Sequence, residues 1–266
     1  MSVEQRPKVG IALGAGAARG YAHIGVLKVL KKEGIPIDYI AGTSMGSLIG
    51  AVYANGIDLD MMEQLAIHLK RNTWLDFTIP KMGFLVGKKA QELVLLLTHR
   101  KKIEELAIPL AVVATDLHTG ERVVFTEGPT DLAVRASISI PGIFEPVSWN
   151  GKLLVDGGVV DRVPISTVRK MGADVVIAVD VLSRSKHVPI HNIFEVISQT
   201  LLIMEREILN QKLLYADVMI HPEVSDISLS AFTQIDECIQ RGEIAAEQML
   251  PQIHECITNW RGETKE

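Results

Sequence analysis

Val9-Gly10-Ile11-Ala12-Leu13-Gly14-Ala15-Gly16-Ala17-Ala18-Arg19-Gly20 and, further on, Tyr39-Ile40-Ala41-Gly42-Thr43-Ser44-Met45-Gly46 decide the fold. In each stretch a short apolar run, Val9 to Leu13 and Tyr39 to Ala41, ends at a glycine turn, and a segment with helical apolar spacing follows. Ile24, Val26, Leu27 and Leu30 mark the first helix, which Gly34 closes and Pro36 keeps from resuming. Met45 to Ala54 is the second, closed by Asn55 and Gly56. Two successive strand-turn-helix units predict parallel strands joined by a right-handed crossover. That makes an α/β sheet whose chemistry lies at the carboxyl ends of its strands.

Working outward, residues 58–105 are helical in pattern but irregular around Pro80 and Gly83, and read as a cap or insertion. Leu110 to Ala114 and Arg122 to Phe125 flank a turn at His118, Thr119 and Gly120, giving a hairpin. A short helix, Leu132 to Ala136, stops before Pro141, and a strand, Leu153 to Val155, ends at Asp156-Gly157-Gly158. Asp174 to Val181 is β-branched enough for a buried parallel strand. The remainder, within a C-terminal extension over 183–266, holds a long helix from Ile193 to Leu214, a strand from Asp217 to Ile220 and a closing helix from Ile235 to Trp260, interrupted near Pro251. No repeat or linker divides the chain, so residues 1–266 read as one domain.

Composition narrows the function. Of 266 residues, 47% are hydrophobic and 22% charged, which suits a globular enzyme. The 27 basic and 32 acidic residues leave a net charge of −5, so nucleic acid is not an expected partner. The two cysteines, Cys238 and Cys256, read as free thiols of a reducing, cytoplasmic compartment. The start lacks a signal-peptide core, and apolar runs such as Leu93 to Leu97 fall far short of the ~18 to 20 residues that span a bilayer.

Gly42-Thr43-Ser44-Met45-Gly46 fits the G-x-S-x-G turn, in which a serine hydroxyl is pushed clear of the sheet above a helix N-terminus. A tight βα turn whose serine caps the helix fits the same five residues. The Gly14–Gly20 loop breaks the dinucleotide pattern, because Arg19 stands where the third glycine belongs. Its better use is as a row of amide donors above Ser44, although close helix-strand packing also asks for glycine there. None of the eight histidines is a persuasive base; His221, at a strand end, is the best of them. Asp156 is more interesting, since two glycines after a strand let a substrate or another chain segment approach. An Asx-turn accounts for it equally well, and as a base it needs a desolvated pocket.

As an ordered set, Gly14 to Gly20, Gly42 to Gly46, Ala136-Ser137-Ile138-Ser139-Ile140-Pro141 with Phe144 and Pro146, and Asp156-Gly157-Gly158 resemble the patatin-like phospholipases, in particular the small bacterial members. The resemblance runs from about Val9 to Asp180. It implies a three-layer α/β/α sandwich with a mostly parallel central sheet and a Ser44–Asp156 catalytic dyad. It also implies an oxyanion hole at Gly14, Ala15, Gly16 and Ala17, and lipid acyl esters as substrates. Gly42 and Gly46 shape the elbow, and Arg19, Pro141, Gly157 and Gly158 support it. No metal or organic cofactor is required. Asp161 stands where asparagine is frequent in that family.

Two other readings remain. One is a Ser-His-Asp hydrolase or malonyl-type acyltransferase with His221 as base, although Thr43 stands where such acyltransferases usually carry histidine. The other is a lipid-sensing protein of little turnover, whose Met61, Met62, Trp74, Phe77, Met82 and Phe84 line an acyl groove or meet a membrane peripherally. Ordinary core packing explains the same residues. Leu201, Met204 and Ile208 leave a homodimer open, Arg19 reads as structural, and Ser137 and Ser139 as makers of local backbone hydrogen bonds.

Overall fold

Large and small side chains alternate along the sheet, and this alternation sets the layers. In the computed structural model, which describes residues 6–70, 73–76, 78–79, 82–182, 190, 193–210 and 216–261, the backbone alone is described at 194 and 206–210. Phe77, Pro80, His187, His191, Leu214 and the Ile208 side chain therefore lie outside the described residues.

Strands β1 (Val9–Leu13), β2 (Tyr39–Thr43), β4 (Leu110–Asp116) and β9 (Val175–Val179) run parallel through the middle of the sheet. β10 (Val218–Ile220) adds to β9 in the same direction. Their register aligns Ile177, Ile11, Ile40 and Leu110 in one row across the sheet, and Ala178, Ala12, Ala41 and Ala111 in the next. Successive residues of a strand face opposite sides, so one face is bulky and the other nearly flat. The bulky face joins the main core with helices α1 (Ala22–Lys32), α2 (Met45–Ala54) and α9 (Ile235–Thr258). The alanine face lets the short helix α7 (Ile165–Lys170) pack close through Ile165 and Val168. The expected three layers are thus written in side-chain volume.

On the other side of β4 the sheet turns antiparallel. β5 (Arg122–Phe125) forms the expected hairpin with it, and β8 (Lys152–Asp156) pairs with it in the opposite direction. The order is β10-β9-β1-β2-β4-β8-β7, where β7 is Val147–Trp149. β7 was not expected, yet Asn150 (φ 47°) and Gly151 (φ 76°) make the two-residue left-handed turn into β8 that an Asn-Gly pair favours. β3 (Gly83–Leu85) and β6 (Gly142–Phe144) form a separate parallel pair, three residues each and too short for a periodic signal.

One helix reading changes. α9 runs unbroken through Pro251. The carbonyl that loses its donor belongs to Glu247, on the exposed side of the helix. α9 crosses α1 at a pair of glycines: a methyl group on Gly25 would stand 1.9 Å from the Ile239 carbonyl oxygen, and one on Gly242 2.0 Å from that of Ala22. This closeness seats the closing helix on the sheet. Elsewhere α3 (Leu59–His68), α4 (Lys88–Leu97), α5 (Thr130–Ser137), α6 (Gly158–Asp161) and α8 (Ile193–Asn210) complete the chain. Cys238 is buried and Cys256 partly so, both as free thiols. No helix among the described residues is long and apolar enough to cross a membrane.

Candidate active site

β2 ends one residue before Ser44, and the chain turns there into α2 with Ser44 at φ 54°, a strained value for a residue with a side chain. The turn is tight: a methyl group on Gly46 would stand 2.1 Å from the Leu13 carbonyl oxygen. β8 runs against β4 and starts beyond the carboxyl end of β2, so its last residue is the one that reaches back to that level. Ala114 pairs with Asp156, one residue beyond the Val113–Thr43 pair. The register thus places Asp156 level with the residue that follows Thr43, across β4. The Ser44 hydroxyl donates to Asp156 Oδ2 at 2.6 Å, and the Gly158 amide donates to Oδ1 at 2.7 Å.

Burial pushes the Asp156 carboxyl up from 3.8 to about 6, against the hydrogen bonds from Ser44 and Gly158, which favour its charged form. It is therefore largely ionised at neutral pH, yet a stronger base than a solvated aspartate. His221 stands apart: it is 41% exposed, and its Nδ1 lies 3.9 Å from Asp180. His23 is fully buried, with burial lowering it to about 4, so its neutral ring donates from Nε2 to the Gly14 carbonyl at 2.8 Å.

The glycine loop divides into two parts. The Gly14 amide donates to Val179 O and the Ala15 amide to Arg162 O, at 3.0 and 2.9 Å, so neither is available to an oxyanion. The Gly16 and Ala17 amides have no acceptor among the described residues, and Ala17, at φ 45°, opens a short 3-10 turn as far as Tyr21. Of the four amides expected to face an oxyanion, two are thus already paired within the fold. Arg19 meets no carboxylate among the described residues: buried, it donates to the carbonyls of Ile227 and Ser225 at 2.6 and 2.9 Å. Asp161 is also buried, its charge met by Arg122 at 2.6 Å, while its carbonyl accepts from the Thr43 hydroxyl.

Ser137 corrects another expectation. Its hydroxyl is not locally bonded; it accepts from the Ser44 amide at 2.8 Å and donates to Val113 O at 2.6 Å, pinning the strained residue to β4. Ser139 does bond locally, to the Arg135 carbonyl, and its own carbonyl receives the Asp156 amide. Pro141 lines the space above the dyad.

Two clefts meet at Ser44. The larger, about 950 Å³ including its open mouth, is almost wholly apolar and runs between α2, α3 and α4, past Met62, Ala66, Trp74 and Leu97. Met61 and Met82 lie outside it and are exposed. The smaller, about 430 Å³, holds Asp156, Gly16, Pro141 and one face of α8, including Glu205. Sequence reading passed over Glu205; its signal was an acid on the apolar stripe of a helix. Among the described residues no three His, Cys, Asp or Glu side chains gather as a metal site.

The model of the patatin-like phospholipase family matches residues 11–169, more than half of the chain. The chain belongs to that family, and its mixed sheet flanked by helices is the patatin fold. An uncharacterized NTE family protein of Mycobacterium tuberculosis is 44% identical over 176 residues, 65% of this chain and 49% of that protein. A lysophospholipase NTE1 of Yarrowia lipolytica is 35% identical over 189 residues, 69% of this chain and 13% of that one. The chain thus spans about half the length of the mycobacterial relative and far less of the fungal one. Among solved structures, VipD from Legionella pneumophila shares the fold, with a TM-score of 0.69 at 13% identity over 93% of this chain and 67% of that one.

Proposed function

We propose that the chain is a serine hydrolase of lipid carboxylic esters, of the phospholipase A, lysophospholipase or esterase type. The observation that carries this reading is the 2.6 Å hydrogen bond from the Ser44 hydroxyl to a carboxylate made basic by burial, at the mouth of an apolar cleft. Asp156 takes the serine proton as Oγ attacks the ester carbonyl, and the Gly16 and Ala17 amides hold the oxyanion. The proton passes to the leaving alcohol. Asp156 then deprotonates a water that attacks the acyl-enzyme, and as the free acid leaves, the proton returns from Asp156 to Ser44 Oγ. Family membership and the name of the fungal relative support the lipid ester class.

The apolar cleft takes the acyl chain, since burying each methylene is worth about 0.8 kcal/mol. Residues 58–105 act as its cap, as α3 and α4 supply one wall. Exposed Met61, Ile79 and Met82 on that cap support peripheral contact with a lipid surface.

A fluorophosphonate probe with mass-spectrometric mapping tests the nucleophile, beside hydrolysis of a lysophospholipid and p-nitrophenyl ester panel. Wild type is expected to label at Ser44 and turn over acyl esters, and Ser44→Ala to do neither while keeping its circular dichroism. Labelling with negligible turnover on every ester favours the lipid-sensing reading. Loss of activity in His221→Ala but not Asp156→Asn favours the histidine reading.

A further inference from the structure

Glu205 is the acid in the smaller cleft that the dyad does not use. α8 presents Ser198, Leu201, Leu202 and Glu205 along one face, the i, i+3, i+4, i+7 stripe of a helix, and all four line the cleft with Ser44 and Asp156. A methyl carbon placed on Gly158 would stand 2.8 Å from Glu205 Oε1 and 3.1 Å from Asp156 Oδ1. Two carboxyl groups therefore converge on one point above Gly158, and one of them already accepts the Ser44 hydroxyl. Glu205 makes no hydrogen bond or ion pair among the described residues. An acid on an apolar stripe, without a partner and facing a second carboxyl, has no evident role in holding the fold.

We propose that Glu205, which faces Asp156 across the Gly158 backbone and takes no part in the proton transfer, sets the alkaline limit of this site: its ionisation shuts the site down. The proposal rests on the hydrolase reading. Shielding from water raises the Glu205 carboxyl to about 8; the charges of Asp156 and Asp180 add to the rise, and Arg162 opposes it. The groups facing it are Asp156 at the end of β8, Arg162 just after α6 and Asp180 just after β9; Arg162 and Asp180 are paired at 2.6 Å, with His221 beyond. With Asp156 near 6 and Glu205 near 8, the neutral range holds one carboxylate and one carboxylic acid. Environments that push two acids apart divide their roles. In that window the site carries a single negative charge and the developing oxyanion meets no second one. Once Glu205 ionises, a second carboxylate opposes that oxyanion and the rate falls.

Glu205→Gln keeps the shape and stays neutral, so kcat/KM is measured from pH 5 to 9.5 in this variant and in wild type. Wild type is expected to rise through about 6 and fall through about 8. The variant is expected to match wild type at pH 7 and lack the alkaline limb, running about tenfold faster at pH 9, as follows from tenfold per pH unit above the group's pKa. The same limb in both proteins, or a folded variant inactive at pH 7, overturns the proposal. Carboxyl-¹³C glutamate NMR gives a reading free of turnover. One glutamate is expected to titrate near 8 in wild type and at lower pH in Asp156→Asn, where the facing charge is gone. No glutamate titrating above pH 6.5, or no movement in that variant, also overturns it. Failure of the hydrolase reading would appear instead as unlabelled Ser44 with this carboxyl coupling intact.

Discussion

The two clefts that meet at Ser44 differ in what they can do to a substrate. The larger is walled by carbon, so it recognises length and shape through burial and contributes nothing to the movement of a proton. The smaller is narrower and holds the acids, Asp156 and Glu205, each displaced upward by the same exclusion of water. Desolvation thus serves two ends within a few ångströms: on one side it supplies affinity, and on the other it supplies basicity. If the division is real, variants of the polar side change rate and pH dependence for every ester, whereas variants of the apolar side change the ranking of esters.

The largest effect is expected on the polar side. Asp156→Asn keeps the shape but removes the base, so kcat/KM for a short p-nitrophenyl ester should fall by roughly 10²- to 10⁴-fold, the usual worth of a positioned base. The same variant should be more stable. A carboxyl raised in the folded protein from 3.8 to about 6 binds its proton more tightly than in the unfolded chain, so it costs stability as pH rises through that window, and the full cost is present at pH 7. At 1.36 kcal/mol per unit the cost is about 3 kcal/mol. Urea unfolding should show Asp156→Asn ahead of wild type at pH 7 by about 1–3 kcal/mol, with the gap closing toward pH 4. A variant less stable than wild type at both pH values would mean that the Ser44 bond, not desolvation, dominates this carboxyl.

The two sides also differed in how far the sequence revealed them. The parallel half of the fold was legible because β1 and β2 each end in a glycine turn and carry helical periodicity behind them. Asp156 could be noticed as an acid before two glycines, but its meeting with Ser44 depends on β8 running against β4, and a strand's direction leaves no mark on its own residues. The sequence suggests only local backbone hydrogen bonds for Ser137, because its partners, Ser44 and Val113, are 93 and 24 residues away, a distance that no local pattern encodes. Gly14 and Ala15 looked like oxyanion donors until the pairing of their amides with Val179 and Arg162 was visible. Glu205 required the packing of α8 over Gly158, a contact between segments with no shared motif.

On the apolar side, Ala66 lies on the α3 wall of the cleft, with Met62 one turn earlier. Ala66→Phe fills part of the channel. Displacing two or three methylenes from it, at about 0.8 kcal/mol each, should lower kcat/KM for long-chain esters by more than tenfold. Turnover of acetate and butyrate esters should stay near wild type, because their chains end before the obstruction. Equal losses on short and long esters, in a protein with normal circular dichroism, would merge the two clefts into one functional unit and remove the division argued above.

The smallest effect on rate tests the join between the two sides. Ser137→Ala removes the acceptor of the Ser44 amide and the donor to Val113 O, in a place closed to water. Two buried backbone groups left without partners should cost about 1–3 kcal/mol of stability each at most. The catalytic loss should be smaller, a severalfold fall in kcat with KM little changed, since Ser44 keeps its hydrogen bond to Asp156 while its backbone at φ 54° is less firmly held. Ser139→Ala is the matched control. Its hydroxyl joins the Arg135 carbonyl and guanidinium rather than the nucleophile, so it should lower stability without changing kcat. If both variants lose stability and neither loses rate, the strained backbone of Ser44 is held by the glycine turn alone, and Ser137 belongs to the fold rather than to the site.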